Sequence, residues 1–201
     1  MDNAELEARL TRIEDTLAID KLEKVYGYYL DNEMFRETVD LFSEYAVSIE
    51  IADRGLFRGK EGVRRFFMEY MARSGKPRPR DYFALHMQHQ GVIDIAPDGR
   101  TAKGRWYCLM LQARPVEQDG PVRSVIGHGV YENEFVKEAG EWKFSKVHYN
   151  LHFRAPLPEG WAVTPVTNES KGVYSVPPDA APTAYHPYPD MRPLPLHWRS
   201  K

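Results

Sequence analysis

The order of elements along this chain predicts an α+β domain in which three helices precede one curled antiparallel sheet. Apolar residues recur every three or four positions through the first third of the sequence, which is the period of an amphipathic helix. From about residue 82 the period changes to two, as in strands that bury one face. Pro-rich sequence begins near residue 156 and ends the alternation. We therefore predict one domain over residues 1–155 and a separate Pro- and aromatic-rich segment over residues 156–201.

The first predicted helix is the longest, and it ends where Asp31 and Asn32 interrupt its apolar face. That face begins with four residues at helical spacing, which are Leu6, Leu10, Ile13 and Leu17. A second, short helix is predicted over about 34–42 and a third over 59–71. Between them, residues 46–51 alternate like a strand, and a short return strand follows a turn.

The sheet is predicted as a meander of four strands. Their approximate bounds are 82–95, 101–113, 122–135 and 142–153. The segments between consecutive strands contain Pro, Asp and Gly, which are the residues that close antiparallel hairpins. Each strand is therefore expected to lie beside the next one along the chain.

The segment after residue 155 has a different character. Ten of the 15 prolines lie in it, so regular secondary structure is not expected there. It also contains large apolar side chains that a fully solvated tail would lack, namely Trp161, Tyr174, Tyr185, Tyr188 and Trp198. We favour an ordered strap that lies over the domain or over a neighbouring subunit, rather than a disordered tail.

Composition argues against several classes of function. The formal net charge is −2 and no long basic run occurs, so we expect no nucleic-acid partner. No apolar stretch approaches the roughly 20 residues that a membrane helix needs, and the acidic start of the chain does not resemble a signal peptide. The single cysteine, Cys108, forms no internal disulfide and suits a reducing compartment. The sequence therefore predicts a soluble, cytoplasmic protein.

The stretch HMQH at 86–89 places two histidines three residues apart, as in half of a metal site. On a strand, however, neighbouring side chains alternate between faces, so His86 and His89 are expected to point to opposite sides of the sheet. The sequence contains no HExxH motif and no cysteine pair that would complete a set of ligands. We therefore expect no metal.

Histidines recur on three of the predicted strands at a phase compatible with one shared face. The three residues are His86, His128 and His148. Trp106 and Met110 share one face of the second strand, and Asn150 follows His148 at strand spacing. Together these side chains predict a titratable pocket with aromatic walls, which is a candidate active site.

Five stretches of the sequence carry a resemblance to a known family. They are VYGYYLDNEMF (25–35), FRGKEGVRRFF (57–67), HMQH (86–89), TAKGRWY (101–107) and GEWKFSKVHY (140–149). Together they cover roughly residues 10–153 and resemble the SnoaL-like branch of the nuclear transport factor 2-like superfamily. Within that branch the sequence looks most like the cofactor-independent dehydratases scytalone dehydratase and bile acid 7α-dehydratase.

The resemblance implies a cone-shaped fold, in which a strongly curved sheet wraps around the helices and encloses a deep, mostly apolar pocket. By position, Tyr26 matches the hydrogen-bonding tyrosine of these dehydratases, with Tyr29 as a substitute. Asp31 matches the carboxylate that partners a histidine, and His86 matches that histidine. The resemblance therefore implies that these residues carry catalysis.

The sequence departs from the family pattern at Met110, where those dehydratases usually have Asp or His. We expect His128 and His148 to supply the missing polar group from adjacent strands. Tyr29, Trp106, Met110 and Asn150 are the residues expected to contact the substrate.

The expected site is suited to proton transfer. A carboxylate on one imidazole nitrogen fixes the tautomer and leaves the other nitrogen as a base. The resemblance thus implies a cofactor-independent lyase of aromatic compound catabolism that acts on a hydroxylated aromatic or polycyclic small molecule. Elimination of water is the first expectation, and a retro-aldol-type loss of formaldehyde is the second. An isomerase and a non-catalytic small-molecule-binding protein remain as alternatives, and a homo-oligomer, dimer or trimer, is expected.

Overall fold

A computed structural model of the protein describes residues 2–72, 82–115, 121–166, 176–192 and 194–198. Within this part of the chain the helices are α1 (Asn3–Asp31), α2 (Phe35–Asp40) and α3 (Gly59–Arg65), which continues as a π-helix over Phe66–Met71. The strands are β1 (Ser48–Ile51), β2 (Leu56–Arg58), β3 (Phe83–Ile95), β4 (Thr101–Pro115), β5 (Val122–Glu138) and β6 (Glu141–Pro156). The predicted α+β class is confirmed.

The described strands form one sheet in the order β2-β1-β6-β5-β4-β3. Strands β3 to β6 are the predicted antiparallel meander, and β1 joins it by pairing parallel to β6. Irregularities interrupt the β3–β4 ladder between His89 and Val92, and the β5–β6 ladder beside Gly129 and Phe135. Because a bulge increases the local twist of a strand, these interruptions help to curl the sheet around the helices.

Aromatic side chains fill the space between α1 and the inner face of the sheet. The ring of Tyr26 on α1 packs edge-on against Phe67, Tyr131 and Phe144, with ring centroids 5.4–6.4 Å apart. All four side chains are almost completely buried. Such edge-to-face pairs add to the stabilisation that aromatic burial provides. The cluster fixes α1 against the sheet and thereby positions Asp31 at the helix end.

The predicted apolar face of the first half of α1 is turned away from the described domain, although Asp15 on the same half accepts hydrogen bonds from Lys137 and Trp142. Its predicted apolar face is 51–63% exposed at each of four residues, which are Leu6, Leu10, Ile13 and Leu17. Helical spacing therefore predicted the helix correctly, but this face meets no described part of the same chain. From Asp15 onward, α1 lies over the sheet and buries its inward face.

The C-terminal strap, which we define as the described residues from 176 to 198, lies along the outer surface of its own domain. Near its beginning, Asp179 pairs with Arg65 at 2.7 Å. Near its end, the Arg105 guanidinium donates a hydrogen bond to the carbonyl oxygen of Pro195 at 3.2 Å. Because the strap covers part of the outer face of the sheet, residues 147–151 of β6 are buried on both faces.

Candidate active site

Asp31 and His86 form the central pair of the candidate site. Nδ1 of His86 lies 2.6 Å from Oδ1 of Asp31. The backbone N–H of His86 also donates to both carboxylate oxygens of Asp31, at 3.1 and 3.2 Å. The side chain of His86 is 13% exposed and that of Asp31 is 14% exposed. Hydrogen bonds to a charged group in such a partly dry environment are strong, so the pair has a well-defined geometry.

The fold positions of the two residues explain their contact. Asp31 is the last residue of α1, and His86 lies on β3 at the edge of the sheet. An edge strand has backbone N–H groups that no neighbouring strand can bond. The carboxylate of Asp31 accepts a hydrogen bond from one of these groups, the backbone N–H of His86, and also holds the ring of His86. The helix end and the sheet edge thus meet at His86.

This contact fixes the hydrogen positions on the imidazole. A carboxylate only accepts hydrogen bonds, so Nδ1 of His86 carries the hydrogen in the contact with Asp31. In the neutral ring the lone pair is then on Nε2. Because His86 also lines an internal cavity, the ring can remove a proton from a molecule bound there.

His86 borders both an internal cavity and a wider groove. The internal cavity between α1 and the inner face of the sheet has a volume of about 60 Å³. A wider groove of about 330 Å³, between α1 and β3, borders both His86 and Asp31. Pockets for drug-sized ligands occupy roughly 300–1,000 Å³. The internal cavity therefore suits a small molecule or one end of a larger molecule.

Four tyrosine side chains line the internal cavity, and three of them are almost completely buried, namely Tyr26, Tyr131 and Tyr149. Burial raises the pKa of each of these three phenols well above its ordinary value, and for Tyr26 the nearby Glu23 raises the pKa further. Each phenol therefore stays protonated and is available as a hydrogen-bond donor to an oxygen that gains negative charge. The hydroxyl of Tyr149 lies 3.9 Å from Sδ of Met110, which also lines the cavity.

His128 and His148 do not face this cavity, which corrects the expectation that they share a face with His86. Tyr131 and Tyr149 are cross-strand partners that both line the cavity. Side chains alternate between faces along a strand. His128 lies three residues before Tyr131 and therefore points to the face opposite the cavity. His148 is next to Tyr149 and points to the same opposite face. Both histidines therefore lie on the outer side of the sheet.

Other groups surround these two histidines on the outer side. Nδ1 of His128 lies 3.0 Å from Nδ1 of His152, and Nε2 of His148 lies 3.4 Å from Oε1 of Glu50. Burial lowers the pKa of His128, and burial together with the nearby His128 lowers the pKa of His152 to about 4. In the first pair, one neutral ring therefore donates to the other. The backbone N–H of Thr183, in the strap, donates to the Glu50 carboxylate at 2.5 Å.

The remaining predicted residues divide between the cavity and the packing around it. Tyr26 and Met110 line the cavity. Trp106 is buried and packs against Phe135 instead, with ring centroids 5.9 Å apart. Asn150 borders the space beneath the strap on the outer side. Tyr29 is half-buried and is not among the described residues that line the cavity.

Sequence reasoning missed three arginines that line the same cavity, which are Arg54, Arg114 and Arg154. Arg114 follows Met110 by four residues on β4, so a longer reading of that alternation could have found it. Arg54 lies in the short turn after β1, and Arg154 lies beyond an irregularity of the β5–β6 ladder. No periodic signal in the sequence places either of these two side chains.

A buried acid was also missed. Glu23 lies on α1 one turn before Tyr26, and its side chain has no exposed surface. Nδ2 of Asn133 donates a hydrogen bond to its carboxyl group at 2.8 Å. Burial raises the pKa of Glu23 to about 8, although the hydrogen bond from Asn133 acts in the opposite direction. The carboxyl group is therefore mostly protonated at pH 7.

Two further observations concern metals and membranes. Among the described residues, no group of three or more His, Cys, Asp or Glu side chains is placed to hold a metal ion. No helix in the described part of the chain is long and apolar enough to cross a membrane. The expected cytoplasmic location remains a prediction.

The N-terminal helices, the curled sheet and the cavity between them define the class of protein, which is the nuclear transport factor 2-like cone fold. The model of the SnoaL-like domain family matches residues 11–148 of this chain. The chain therefore belongs to the SnoaL-like domain family, which confirms the predicted resemblance. None of the curated protein sequences compared with the chain matches it.

Solved structures share the fold at low sequence identity. A protein provisionally named scytalone dehydratase from Novosphingobium aromaticivorans is 20% identical, with 73% of this chain and 89% of that chain covered and a TM-score of 0.58. The hexachlorocyclohexane dehydrochlorinase LinA-type3 from Novosphingobium barchaimii is 19% identical, with 74% and 94% covered and a TM-score of 0.59. A protein of unknown function from Mycobacterium tuberculosis is 17% identical, with 71% and 74% covered and a TM-score of 0.55. At these identities the likeness establishes the fold alone.

Proposed function

We propose that this protein is a cofactor-independent lyase that eliminates water from a small hydroxylated aromatic molecule bound in the internal cavity. The observation that carries the proposal is the contact between Nδ1 of His86 and the Asp31 carboxylate at the cavity wall. An imidazole held in this way by a carboxylate acts as a general base in many enzymes. The small volume of the cavity favours a single-ring substrate over a polycyclic one.

In the proposed reaction, Nε2 of His86 removes a proton from the carbon next to the one that bears the hydroxyl group. The electron pair of that C–H bond forms a double bond while the C–O bond breaks. The His86 imidazolium then returns the proton to the departing oxygen, which leaves as water. Because the proton removed is also the proton returned, the reaction needs no oxidant, reductant or cofactor.

Tyr26 is the proposed hydrogen-bond donor to the substrate. Removal of a proton from carbon is feasible when the resulting charge spreads onto an oxygen, such as that of a carbonyl or a phenol. Tyr26 lines the cavity and stays protonated because burial raises its pKa, so it can stabilise that oxygen. Tyr131 and Tyr149 offer two more neutral donors at the same wall.

The names of two similar solved structures support elimination as the reaction type. One is provisionally named a dehydratase and the other is a dehydrochlorinase, and both names describe the removal of a small molecule from neighbouring carbons. Loss of formaldehyde is the second candidate, because the same base could take the proton of a hydroxymethyl group before the C–C bond breaks. The open groove beside Asp31 and His86 would give such a small product an exit.

The test is to incubate the purified protein with a panel of small hydroxylated aromatic molecules and to measure product masses. We expect loss of one water from at least one compound, and loss of one formaldehyde would support the second candidate. An isomerase would change retention time at constant mass, and a binding protein would retain a compound unchanged. The reaction should disappear in His86→Ala and persist in His89→Ala, since His89 points away from the cavity. Undiminished turnover in His86→Ala would contradict the proposal.

We also propose that the protein is a homo-oligomer joined through the exposed face of α1. Its four apolar residues are spaced four, three and four positions apart, as alternating d and a positions of a coiled coil, and are Leu6, Leu10, Ile13 and Leu17. In that register Arg9 is a g position and Glu14 is the e position five residues later. These two positions pair with opposite charge across a parallel dimer, so a second copy of α1 is a compatible partner.

Charge substitutions on this face should separate the subunits. We expect the double substitution Leu10→Glu and Ile13→Glu to lower the molar mass measured by light scattering, because it places carboxylates at the apolar contact. The melting temperature of the separated domain should change little, since neither side chain packs on its own domain. Tyr45→Glu is the matched control at another exposed large side chain. A wild-type protein that is monomeric at all concentrations would contradict the proposal.

A further inference from the structure

Positive charge gathers at the wall of the cavity beside His86. Three arginines line it, and they are Arg54, Arg114 and Arg154. They come from separate elements, since Arg54 ends the turn after β1, Arg114 lies on β4 and Arg154 lies on β6. The curled sheet therefore brings together charges that are far apart in the sequence.

The three guanidinium groups repel one another. Burial lowers the pKa of Arg114 to about 9, and the charges of Arg154 and Arg54 contribute to the shift. Burial and Arg54 lower the pKa of Arg154 in the same way, while Asp53 acts in the opposite direction. Like charges held close together in a low-dielectric interior are unfavourable. An anion held by these guanidinium groups would reduce the repulsion between them.

A glycine on the intervening strand leaves room for Met110 at this wall. Gly127 lies on β5, where it pairs with Met110 on β4 and with Arg154 on β6. A Cβ atom at this position would lie 2.6 Å from Cε of Met110, which is closer than atoms can approach. A side chain at residue 127 would therefore require the terminal methyl group of Met110 to move.

We propose that Arg54, Arg114 and Arg154 bind a carboxylate group of the substrate, so that the lyase acts on a small aromatic acid. The proposal rests on the proposed function, because the bound acid has to present its reactive carbon to His86. The planar fork of a guanidinium group matches the two oxygens of a carboxylate, which favours bidentate binding. A cavity of about 60 Å³ suits a carboxylate and its nearest carbons better than a bulkier group. Binding of the carboxylate at one end of the substrate also fixes the orientation of its aromatic ring.

Benzoate and benzamide test this inference, because they are similar in size but differ in charge. Their affinities for the full-length protein are measured by isothermal titration calorimetry. We expect benzoate to bind about 10- to 100-fold more tightly than benzamide, as charged hydrogen bonds predict. Arg114→Met and Arg154→Met should each weaken benzoate binding by about tenfold or more and leave benzamide binding unchanged. Arg64→Met, at an exposed arginine of α3, is the control and should change neither affinity.

If Arg114→Met or Arg154→Met fails to fold, the inference can still be tested with a more conservative variant and with the wild-type protein. Arg114→Lys keeps the charge but loses the planar fork, so benzoate affinity should fall by less than in Arg114→Met. His86→Gln separates this inference from the proposed function, because it removes the base and should keep the preference for benzoate. If no panel compound reacts while this preference persists, the lyase proposal fails and the anion site stands. Equal affinity of the wild-type protein for the two probes, or an unchanged preference in both Arg→Met variants, would overturn the anion site.

Discussion

We expect turnover to fall by about 10²–10⁴-fold in both Asp31→Asn and His86→Ala, because each change removes one half of the proposed base. Without the imidazole, no group takes the proton. Without the carboxylate charge, the imidazolium that forms during the reaction loses its stabilising partner. The Asn side chain still offers an oxygen to the backbone N–H of His86, so the variant should fold. The rate constants are measured with the panel compound that reacts fastest.

The double variant gives a sharper test than either single change. Residues that act as a unit have non-additive effects, so the double variant should be scarcely slower than His86→Ala alone. If the two losses multiplied instead, Asp31 and His86 would act independently, and the base assignment would be wrong. His89→Ala is the matched control on the same strand, and its turnover should stay close to that of the wild-type protein. An essential His89 with a dispensable His86 would contradict the assignment of the catalytic face.

Much of the fold was predictable because the spacing of apolar residues and the positions of turn residues indicate helices, strands and hairpins locally. The change of period from helical spacing to alternation separates α1 from the later strands, and turn residues mark the hairpins. Alternation also predicted that His86 and Met110 could share a face, and the two residues are direct partners in the β3–β4 ladder. The contact between Asp31 and His86 was expected only from the resemblance to a family, since no local pattern relates residues on different elements.

The outward direction of His128 and His148 could not be read from the sequence for a physical reason. The strap covers part of the outer face, so residues 147–151 of β6 are all buried and the usual contrast between an apolar and a polar face is lost. Irregularities in the β5–β6 ladder change the phase further. When residues on both faces of a strand are buried, the sequence does not show which face a histidine in that strand belongs to.

The three cavity arginines were missed for a different reason. Arg154 is 6% exposed, although arginine is rarely buried so completely. The sequence predicted a mostly apolar pocket, and polarity at such positions usually indicates a solvent-exposed face. Only the pairing of β4 and β6 with β5 and the curl of the sheet bring Arg154 and Arg114 to the same wall. Alternation can place Arg114 on the face of Met110, but the meeting of the three arginines depends on tertiary structure, as does the buried position of Glu23.

Replacing Glu23 with Gln should make the protein more stable at neutral and alkaline pH. Burial raises the pKa of Glu23 from 4.5 to about 8, so the folded state binds a proton more tightly than the unfolded state does. Below about pH 4.5 the carboxyl group is protonated in both states, and its contribution to stability is fully present. Between pH 4.5 and 8 only the unfolded state releases the proton, so the free energy of unfolding falls by about 1.4 kcal/mol per pH unit.

A Gln side chain removes this dependence because it carries no ionisable proton. It keeps an oxygen that can accept the hydrogen bond from Nδ2 of Asn133, so the packing around residue 23 should persist. We expect equal melting temperatures for Glu23→Gln and the wild-type protein near pH 4.5, and a difference of several degrees in favour of the variant near pH 8, measured by calorimetry. Glu37→Gln, at an exposed position of α2, should follow the wild-type pH profile throughout. Parallel pH profiles for Glu23→Gln and the wild-type protein would mean that Glu23 is ionised in the folded state, and its hydrogen bond from Asn133 would then outweigh its burial.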